Sequence, residues 1–398
     1  MFGLMRYDNP IESTNFTIAR HLAKYNHVFY IDNPYTYKDC IHLRNTDGFR
    51  RRFKHFSLKA NGVIDTDIPT LKVIIPPPVI SINWLPECLM YRMALQLNEK
   101  MVYHRIMQVK EQFGIDEFIY INSFNFYYPN LGRMLQPKLC VYHCVDPLVH
   151  QYELKHGRKS EAQIVRESDV VICTSEQLVK EQSQSNVATY QIANAADIAH
   201  SSKALEDTLP VHPSLEGIPH PMIGYFGAIE RSIDYWMLRQ VAAKHRDKSF
   251  VFVGPVSPEF VPEWVFRAPN IFLMGTVPYE EMPQVLKAFD VAIIPFKKDA
   301  ASSSIFPLKL FEYLGAGKPV VATDFNEDLE TYTHGTVSYC NTAESFSKAL
   351  EAALTNECET AKKARLAVAA ENTWEHRADE FATVIRRHLE KKQVPEFA

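Results

Sequence analysis

No stretch of this 398-residue chain approaches the run of about 18 apolar residues that a membrane-spanning helix requires. Cysteine is sparse and scattered, at 40, 88, 140, 144, 173, 340 and 358. The number is odd and no two Cys-x-x-Cys steps occur at zinc spacing, so reduced thiols and no metal site are expected, Cys140 and Cys144 included. A basic excess is also missing: 43 Lys and Arg stand against 47 Asp and Glu, a net charge of −4, without the electrostatic footprint of a nucleic-acid binder. The opening Met-Phe-Gly-Leu-Met-Arg-Tyr-Asp has no basic start followed by an apolar core. A secretory signal is therefore not expected, and the expected location is cytoplasmic, at most touching the inner face of the cell membrane. There is no Gly-x-Gly-x-x-Gly and no Walker sequence, which disfavours a dinucleotide dehydrogenase or a P-loop enzyme. Solenoid repeats and low-complexity tracts are absent too.

What is present is ordinary for a soluble globular chain, 46% hydrophobic and 23% charged, and long enough for two domains. Phe16, Ile18, Ala19, Leu22 and Ala23 recur at helical spacing behind Ser13 and Thr14 as caps. Apolar runs at 28–31, 73–75, 118–121, 139–142 and 170–173 read as strands, with a helix at 98–113 and Ser175 capping another. Strands alternating with helices predict a parallel sheet whose ligands sit beyond the strand C-termini. That places Asn122, Asn125, His143 and Asp146 on one rim. Asn122 and Asn125 would either tie loops or contact an acceptor. His143 would contact sugar or phosphate, or be a satisfied structural histidine, with Asp146 orienting it or accepting a proton. Between 40 and 67, Arg50, Arg51, Arg52 and Lys54 interleave with aromatics. The run reads either as a solvated face or as a peripheral contact with an anionic membrane surface or lipid-linked acceptor.

Residues 199–221 are polar and weakly periodic and read as a link between domains. A second alternating series follows: strands at 222–227, 249–254, 271–275 and 291–296, helices at 234–244 and 279–289, and closing helices at 343–354, 359–370 and 374–390. The stretch 302–323 organises this half. Pro307 suits a helix start, Gly315 and Gly317 supply stops, and 320–323 is the next strand. The helix start presents unpaired N–H groups and a positive partial charge, a seat for phosphate. Lys309 and Glu312 lie three apart on one face of it, a cation and a carboxylate suited to a diphosphate and a ribose.

These pieces occur in the order Ile223-Gly-Tyr-Phe-Gly-Ala-Ile229, Phe250-Val-Phe-Val-Gly254, Phe272-Leu-Met-Gly275, Ala288-Phe-Asp-Val-Ala-Ile-Ile-Pro295 and Lys309-Leu-Phe-Glu-Tyr-Leu-Gly-Ala-Gly-Lys-Pro-Val-Val321. In that order they resemble the retaining GT-B glycosyltransferases of the glycosyl transferases group 1 type. Ile121-Asn-Ser-Phe-Asn125 and Val141-Tyr-His-Cys-Val-Asp146 resemble a bacterial polysaccharide-biosynthesis branch. The resemblance implies an α/β GT-B fold of two Rossmann-like domains facing across a cleft. The acceptor domain would be 1–205 plus a C-terminal helix of about 374–398 crossing back, and the donor domain 215–373. It implies Glu312 on the ribose, backbone N–H groups of Leu308 and Lys309 on the diphosphate, the loop with Gly227 and Arg231 beside the phosphates, and Val277 to Tyr279 under the base. Two departures stand out. The first glutamate of the family's Glu-x₇-Glu falls at Ser304, and the usual phosphate arginine falls at Ala228, leaving Arg231 or Lys309 to supply the charge.

The expected activity is hexosyl transfer with retention from a nucleotide-sugar to a glycan or lipid-linked acceptor, in bacterial cell-surface polysaccharide synthesis. No Asp-x-Asp lies in the donor region, so metal independence is expected, and no cofactor beyond the donor. The alternatives are a sugar-nucleotide epimerase or glycogen-type phosphorylase of the same fold, or a non-catalytic sugar-nucleotide-binding relative.

Overall fold

The computed structural model describes residues 1–9, 13–149, 151–299 and 301–393. The chain forms two compact units, Met1–Ala193 with Ala378–Ala398, and Asn194–Arg377. The division thus falls at 193/194, not between 205 and 215. Residues 199–221 belong to the second unit, where helix Ile198–Ser201 packs on Leu308–Gly315. Their polar composition reflects short turns on a surface, which composition alone does not distinguish from a linker. Helix Trp374–Gln393 gives its first turn to the second unit and the rest to the first; the expected extension beyond 393 lies outside the described residues.

The first unit holds an eight-stranded sheet: β1 (Phe2–Gly3), β2 (Val28–Ile31), β3 (Val63–Asp65), β4 (Leu71–Ile74), β5 (Ile119–Ser123), β6 (Leu139–Cys144), β7 (Val170–Cys173) and β8 (Thr189–Gln191). Its order is β3-β4-β2-β1-β5-β6-β7-β8, parallel throughout except for the β3–β4 pair. The sequence direction reverses at β1, so β1 and β5 flank the switch point where ligands of such sheets bind. Ser13 caps helix Thr14–Leu22 by accepting from the Phe16 N–H, and Ser175 does the same for Glu176–Gln182 through Leu178.

The second unit holds β9 (Met222–Phe226), β10 (Ser249–Val253), β11 (Ile271–Leu273), β12 (Val291–Ile294), β13 (Val320–Thr323) and β14 (Val337–Cys340), all parallel, in the order β11-β10-β9-β12-β13-β14. Strands β10, β12 and β13 are buried along their whole length. That is why they read as continuous apolar runs: helices cover both faces of a parallel sheet. Here the switch point lies between β9 and β12, at Gly227 and Pro295.

Candidate functional site

Beyond β9 the chain turns at Gly227, whose φ of 141° belongs to glycine. A Cβ there would lie 2.3 Å from the Lys309 ammonium nitrogen. Gly254, with φ of 149°, ends the neighbouring β10, and a Cβ on it would lie 2.1 Å from the Gly227 carbonyl oxygen. Two glycines at adjacent strand ends therefore let backbone pass backbone and leave room for one side chain, Lys309. Its Nζ donates to the Tyr225 hydroxyl at 2.9 Å, and Tyr225 donates in turn to the Ala228 carbonyl at 2.9 Å. The ammonium lies 4.3 Å from the Tyr225 ring centroid and 5.1 Å from that of Phe296. Burial lowers its pKa to about 8, against the opposing pull of Glu312 and Glu230. No carboxylate comes within ion-pair distance of Lys309 among the described residues, so the expected rival reading, a surface lysine paired to Glu312, does not describe it.

Helix Leu308–Gly315 begins at Pro307 and no side chain caps it. Its first N–H groups, those of Leu308 and Lys309, have no side-chain cap. Pro307 is the cap residue itself, one position earlier than its expected place inside the first turn. The loop before it is fixed from both sides: Asn326 donates to the Ile305 carbonyl and Asn194 to the Phe306 carbonyl, each at 2.9 Å. Ser304 is 1% exposed in the short turn Ser302–Ser304. Its neighbour Ser302 accepts from the Asp299 N–H at 2.9 Å and donates to the Lys297 carbonyl, so the serines build the loop.

One turn into the helix, the buried Glu312 carboxylate accepts from the Tyr279 hydroxyl at 3.1 Å. The Tyr279 ring stacks on His200, with centroids 4.7 Å apart, and His200 Nε2 lies 2.8 Å from the Tyr279 carbonyl oxygen. Val277, two residues earlier, is buried. Tyr313 accepts the Phe226 N–H at 2.7 Å and so ties the helix to the end of β9. Arg231 is partly buried and has no hydrogen-bond or ion-pair partner among the described residues. The second unit thus brings Gly227, Lys309 and, on the same helix, Leu308 and Glu312 with its partner Tyr279 to the C-terminal end of β9, with Arg231 on the loop that follows β9 and Ser304 in the loop before the helix. Tyr225 and His200 were missed by sequence reasoning. Tyr225 sat inside what reads as a strand, though its neighbours Gly224 and Gly227 signalled a close approach. His200 lay in the supposed linker.

In the first unit the structure corrects the rim reading. Strand β6 continues through Cys144, so His143 is an interior strand residue, 2% exposed. Its Nδ1 lies 3.0 Å from Ser123 Oγ, which accepts from the Asn15 amide at 2.7 Å, and its ring meets Phe381 edge-on. Burial pushes the imidazole down to about 3, so it stays neutral at physiological pH. This is the satisfied structural histidine, not a group open to sugar. Asn122 and Asn125 also prove structural. Asn122 accepts the Asn125 N–H at 2.8 Å and donates to its carbonyl at 3.0 Å, while Asn125 reaches the Gly3 carbonyl at 3.0 Å. They close the turn after β5 and pin it to β1. Asp146 differs, because its side chain reaches solvent. Desolvation by surrounding protein, with repulsion from Glu153, raises its carboxyl to about 7.

The basic run is corrected as well. Residues 47–53 form the helix Asp47–Phe53, and Arg52 is 1% exposed between Asp32, at 2.7 Å, and Asp8, at 2.5 Å. Arg51 pairs with Asp8 at 2.7 Å and Arg50 with Asp47 at 3.3 Å, which leaves Lys54 alone of the four without an ion pair among the described residues.

Two all-but-wholly parallel α/β domains, each with its switch point at the strand C-termini, define a GT-B-type architecture. Three solved structures share it. Sucrose-phosphate synthase from Thermosynechococcus elongatus superposes with a TM-score of 0.65 at 15% identity, over 98% of both chains. Anabaena HepE in complex with UDP gives 0.64 at 16%, over 97% of this chain and 99% of that one. An E. coli trehalose-6-phosphate structure bound with UDP-2-fluoro glucose gives 0.66 at 10%, over 99% of each. At such identities the likeness is one of fold. Residues 220–356 match the family model for Glycosyl transferases group 1, a span holding every donor-side candidate named above except His200. Over 211 residues the chain is 26% identical to TuaH of Bacillus subtilis strain 168, whose name assigns it to teichuronic acid biosynthesis as a glycosyltransferase. That match spans 50% of this chain and 53% of its relative, about half of each.

Proposed function

We propose that the protein is a hexosyl-type glycosyltransferase of group 1. It would move a sugar from a nucleotide-sugar to a glycan or lipid-linked acceptor, with retention and without metal, in bacterial cell-surface polysaccharide synthesis. The observation that carries this reading is Lys309: a desolvated ammonium at an uncapped helix start, with a hydroxyl and two aromatic rings for company but no carboxylate within ion-pair distance among the described residues. Such a cation is completed by an anion, and the uncapped start of helix Leu308–Gly315, where Lys309 sits, would add its first N–H groups. A diphosphate there would take the Leu308 and Lys309 N–H groups, the Lys309 ammonium and the Arg231 guanidinium. Glu312 would accept from the ribose, sharing its carboxylate with Tyr279, and the Tyr279–His200 stack would border the base. The match of 220–356 to the group 1 model, UDP in HepE and TuaH's name support the donor class and the polysaccharide role.

The chemistry follows from charge. Cleaving the anomeric carbon–phosphate bond places negative charge on the leaving diphosphate and positive charge on the ring. Donors fixed beforehand around the phosphate stabilise the transition state more than the ground state. Lys309 and Arg231 supply cationic stabilisation, which is the role a divalent metal plays elsewhere. With attack from the leaving-group face, the departing phosphate can take the acceptor proton and configuration is kept. Asp146, with its carboxyl raised to about 7, is the first unit's remaining candidate to orient that hydroxyl. Sugar recognition at Ser304 lacks the first carboxylate of the pair carried by many relatives, so the nucleotide half of the site is the better equipped. No separate observation favours the epimerase, phosphorylase or non-catalytic readings.

The test is a thermal-shift screen across nucleoside diphosphates and their sugars, followed by incubation with the labelled sugar-nucleotide that shifts the melting point most. Free nucleotide released together with a glycosylated acceptor is the expected product. An epimerised sugar-nucleotide, or no shift with any nucleotide, overturns the proposal.

A further inference from the structure

Strand β1 lies between β2 and β5 in the first unit's sheet, yet it is only two residues long. Phe2 pairs with Ile31 of β2 and with Asn122 of β5, and Gly3 pairs with Ser123. Both neighbours run further toward their N-terminal ends. β2 starts at Val28 and pairs with β4 along its whole length, and β5 starts at Ile119 and pairs with β6 along its whole length. Residues 28–30 and 119–121 therefore face each other with no strand between them among the described residues. Two strand spacings, about 9.5 Å, separate such edges, and that is the width one further strand fills.

A mainly apolar cavity of about 920 Å³ lies at this place. It passes through the sheet, because its walls come from both faces. Phe29 meets Phe113, at the end of helix Leu89–Gln112, with ring centroids 5.2 Å apart, and Ile106 and Val109 of that helix line the cavity. Tyr30 follows Phe29 and so points to the opposite face, where its ring meets Phe16 of helix Thr14–Leu22 at 5.0 Å. Leu22 of that helix lines the cavity too, with Ile385 of the C-terminal helix.

The backbone groups that border the slot have defined directions. The Val28 N–H donates to the Thr70 carbonyl on the β4 side at 2.8 Å, so the peptide groups of Phe29 point into the slot. On the other edge the Phe118 carbonyl accepts the Lys138 N–H on the β6 side at 3.0 Å, so the peptide groups of Ile119 point inward. Met1 already holds a ladder position. Its amine donates to the Phe29 carbonyl at 2.8 Å, and its carbonyl accepts the Ile31 N–H at 2.7 Å. Burial lowers that amine to about 5, so at neutral pH it is uncharged and makes the bond a peptide N–H would make. Tyr120, also on the cavity wall, has a buried hydroxyl without a hydrogen-bond partner among the described residues. The slot thus combines apolar walls with strand-edge donors and acceptors. A hydrocarbon chain would leave those polar groups unmet, whereas polypeptide satisfies both.

We propose that the slot is a strand-acceptor site whose occupant is an extended apolar peptide segment of about three residues, laid parallel between β2 and β5 and continuous with β1. Its side chains alternate, one toward Ile106 and Val109 and the next toward Leu22 and Ile385, so residues of both parities are apolar. Occupancy lengthens the strand whose C-terminal end forms the unit's switch point, and so steadies that edge of the sheet. The inference stands apart from the donor-site reading, because it uses neither nucleotide nor any residue of the second unit.

The experiment extends the full chain by Val-Ile-Val directly ahead of Met1 and compares it with the unextended chain and with a Gly-Ser-Gly extension. Calorimetric melting and amide hydrogen exchange read the outcome. The apolar extension is expected to raise the melting temperature by about 4 °C or more over both others. It should also slow exchange at the Phe29 and Ile119 amides on the order of a hundred-fold. The Gly-Ser-Gly extension should do neither, since it brings no apolar side chains and costs more to order. Equal melting of the two extended forms would trace any gain to loss of the terminal amine alone, and overturns the proposal. Unchanged exchange at Phe29 and Ile119 in the Val-Ile-Val form overturns it as well. So does self-association of that form, seen by light scattering, with those two amides unaffected, which would place the segment on the surface.

Discussion

Replacing Lys309 by Met separates the cost of the donor corner from its use. The ammonium's pKa falls from 10.5 to about 8 because it is desolvated with no carboxylate at contact distance. A displacement of that size corresponds to roughly 3 kcal/mol of unfavourable burial of the charged form at neutral pH. Against it stand the hydrogen bond to Tyr225, worth about 1 kcal/mol, and two ring contacts of about 0.5–1 kcal/mol each. Methionine keeps the stem's packing and abolishes the charge, so Lys309→Met should stabilise the fold by about 1 kcal/mol while weakening binding of the nucleoside diphosphate selected by the thermal-shift screen on the order of ten- to a hundred-fold. The pH dependence has a definite sign. Between about 8 and the unfolded value of 10.5 the unfolded chain holds the proton more tightly, so this group makes wild-type stability rise with pH across that window. Nucleotide affinity moves the other way, falling as pH climbs through about 8 and the cation is lost. Urea denaturation and titration calorimetry with the same nucleoside diphosphate at several pH values read both effects. A variant that is destabilised by more than about 1 kcal/mol, yet binds that nucleoside diphosphate as wild type does, would falsify the assignment of Lys309 to the phosphate.

Three further outcomes test the rest of the frame. Glu312→Ala removes a buried carboxylate held by Tyr279, and affinity for the nucleoside diphosphate in calorimetry should drop about ten-fold or more with the far-ultraviolet circular dichroism unchanged. Gly254→Ala forces a Cβ to within 2.1 Å of the Gly227 carbonyl at a φ of 149°, so a loss of several kcal/mol in urea stability is expected, on the order of the large values reserved for backbone strain. Arg52→Met strips the partner from the buried Asp32 and should cost about 3–5 kcal/mol. The same substitution bears on acid stability. Burial alone would raise the Asp8 carboxyl, but its hydrogen bonds with Arg52 and Arg51 prevail and hold it at about 2. Its contribution is complete above the unfolded value of 3.8 and disappears as pH falls through about 2, so Arg52→Met should lessen the loss of stability seen on acidification.

Most of the second unit was legible because parallel strands buried on both faces are written as unbroken apolar runs. The run 320–323 coincides with β13, and 291–296 overshoots β12 by two residues at its C-terminal end. The short peripheral strands β3, β8 and β14 escaped notice, since a strand of three or four residues with partly exposed positions carries little periodicity. Helix Leu89–Gln112 begins nine residues before its expected start. Its first turns expose Leu89, Met90 and Met93, so the apolar pattern there does not follow a core face. Helix Asp47–Phe53 was hidden by its charge, and Arg52 reads as a surface residue until Asp8 and Asp32, both distant in sequence, are brought to it.

The same distinction accounts for the candidate site. Lys309, Glu312 and the glycine turn were visible because each is tied to a local signal: a helix start, a three-residue step, a strand end. What brings them to one corner is non-local. Tyr225 carries the hydrogen bond from Lys309 across 84 residues of sequence, and Tyr279 reaches Glu312 across 33. His143 failed for the complementary reason. A histidine at a strand end looks open until Ser123, on the paired strand, and Phe381, on the C-terminal helix, close around it. Burial depends on partners that sequence proximity does not reveal, and burial fixes a group's protonation state. A desolvated lysine lowered to about 8 still carries its charge at neutral pH and is open to stabilisation by an anion. A desolvated histidine lowered to about 3 has already lost its charge and has only structure left to serve.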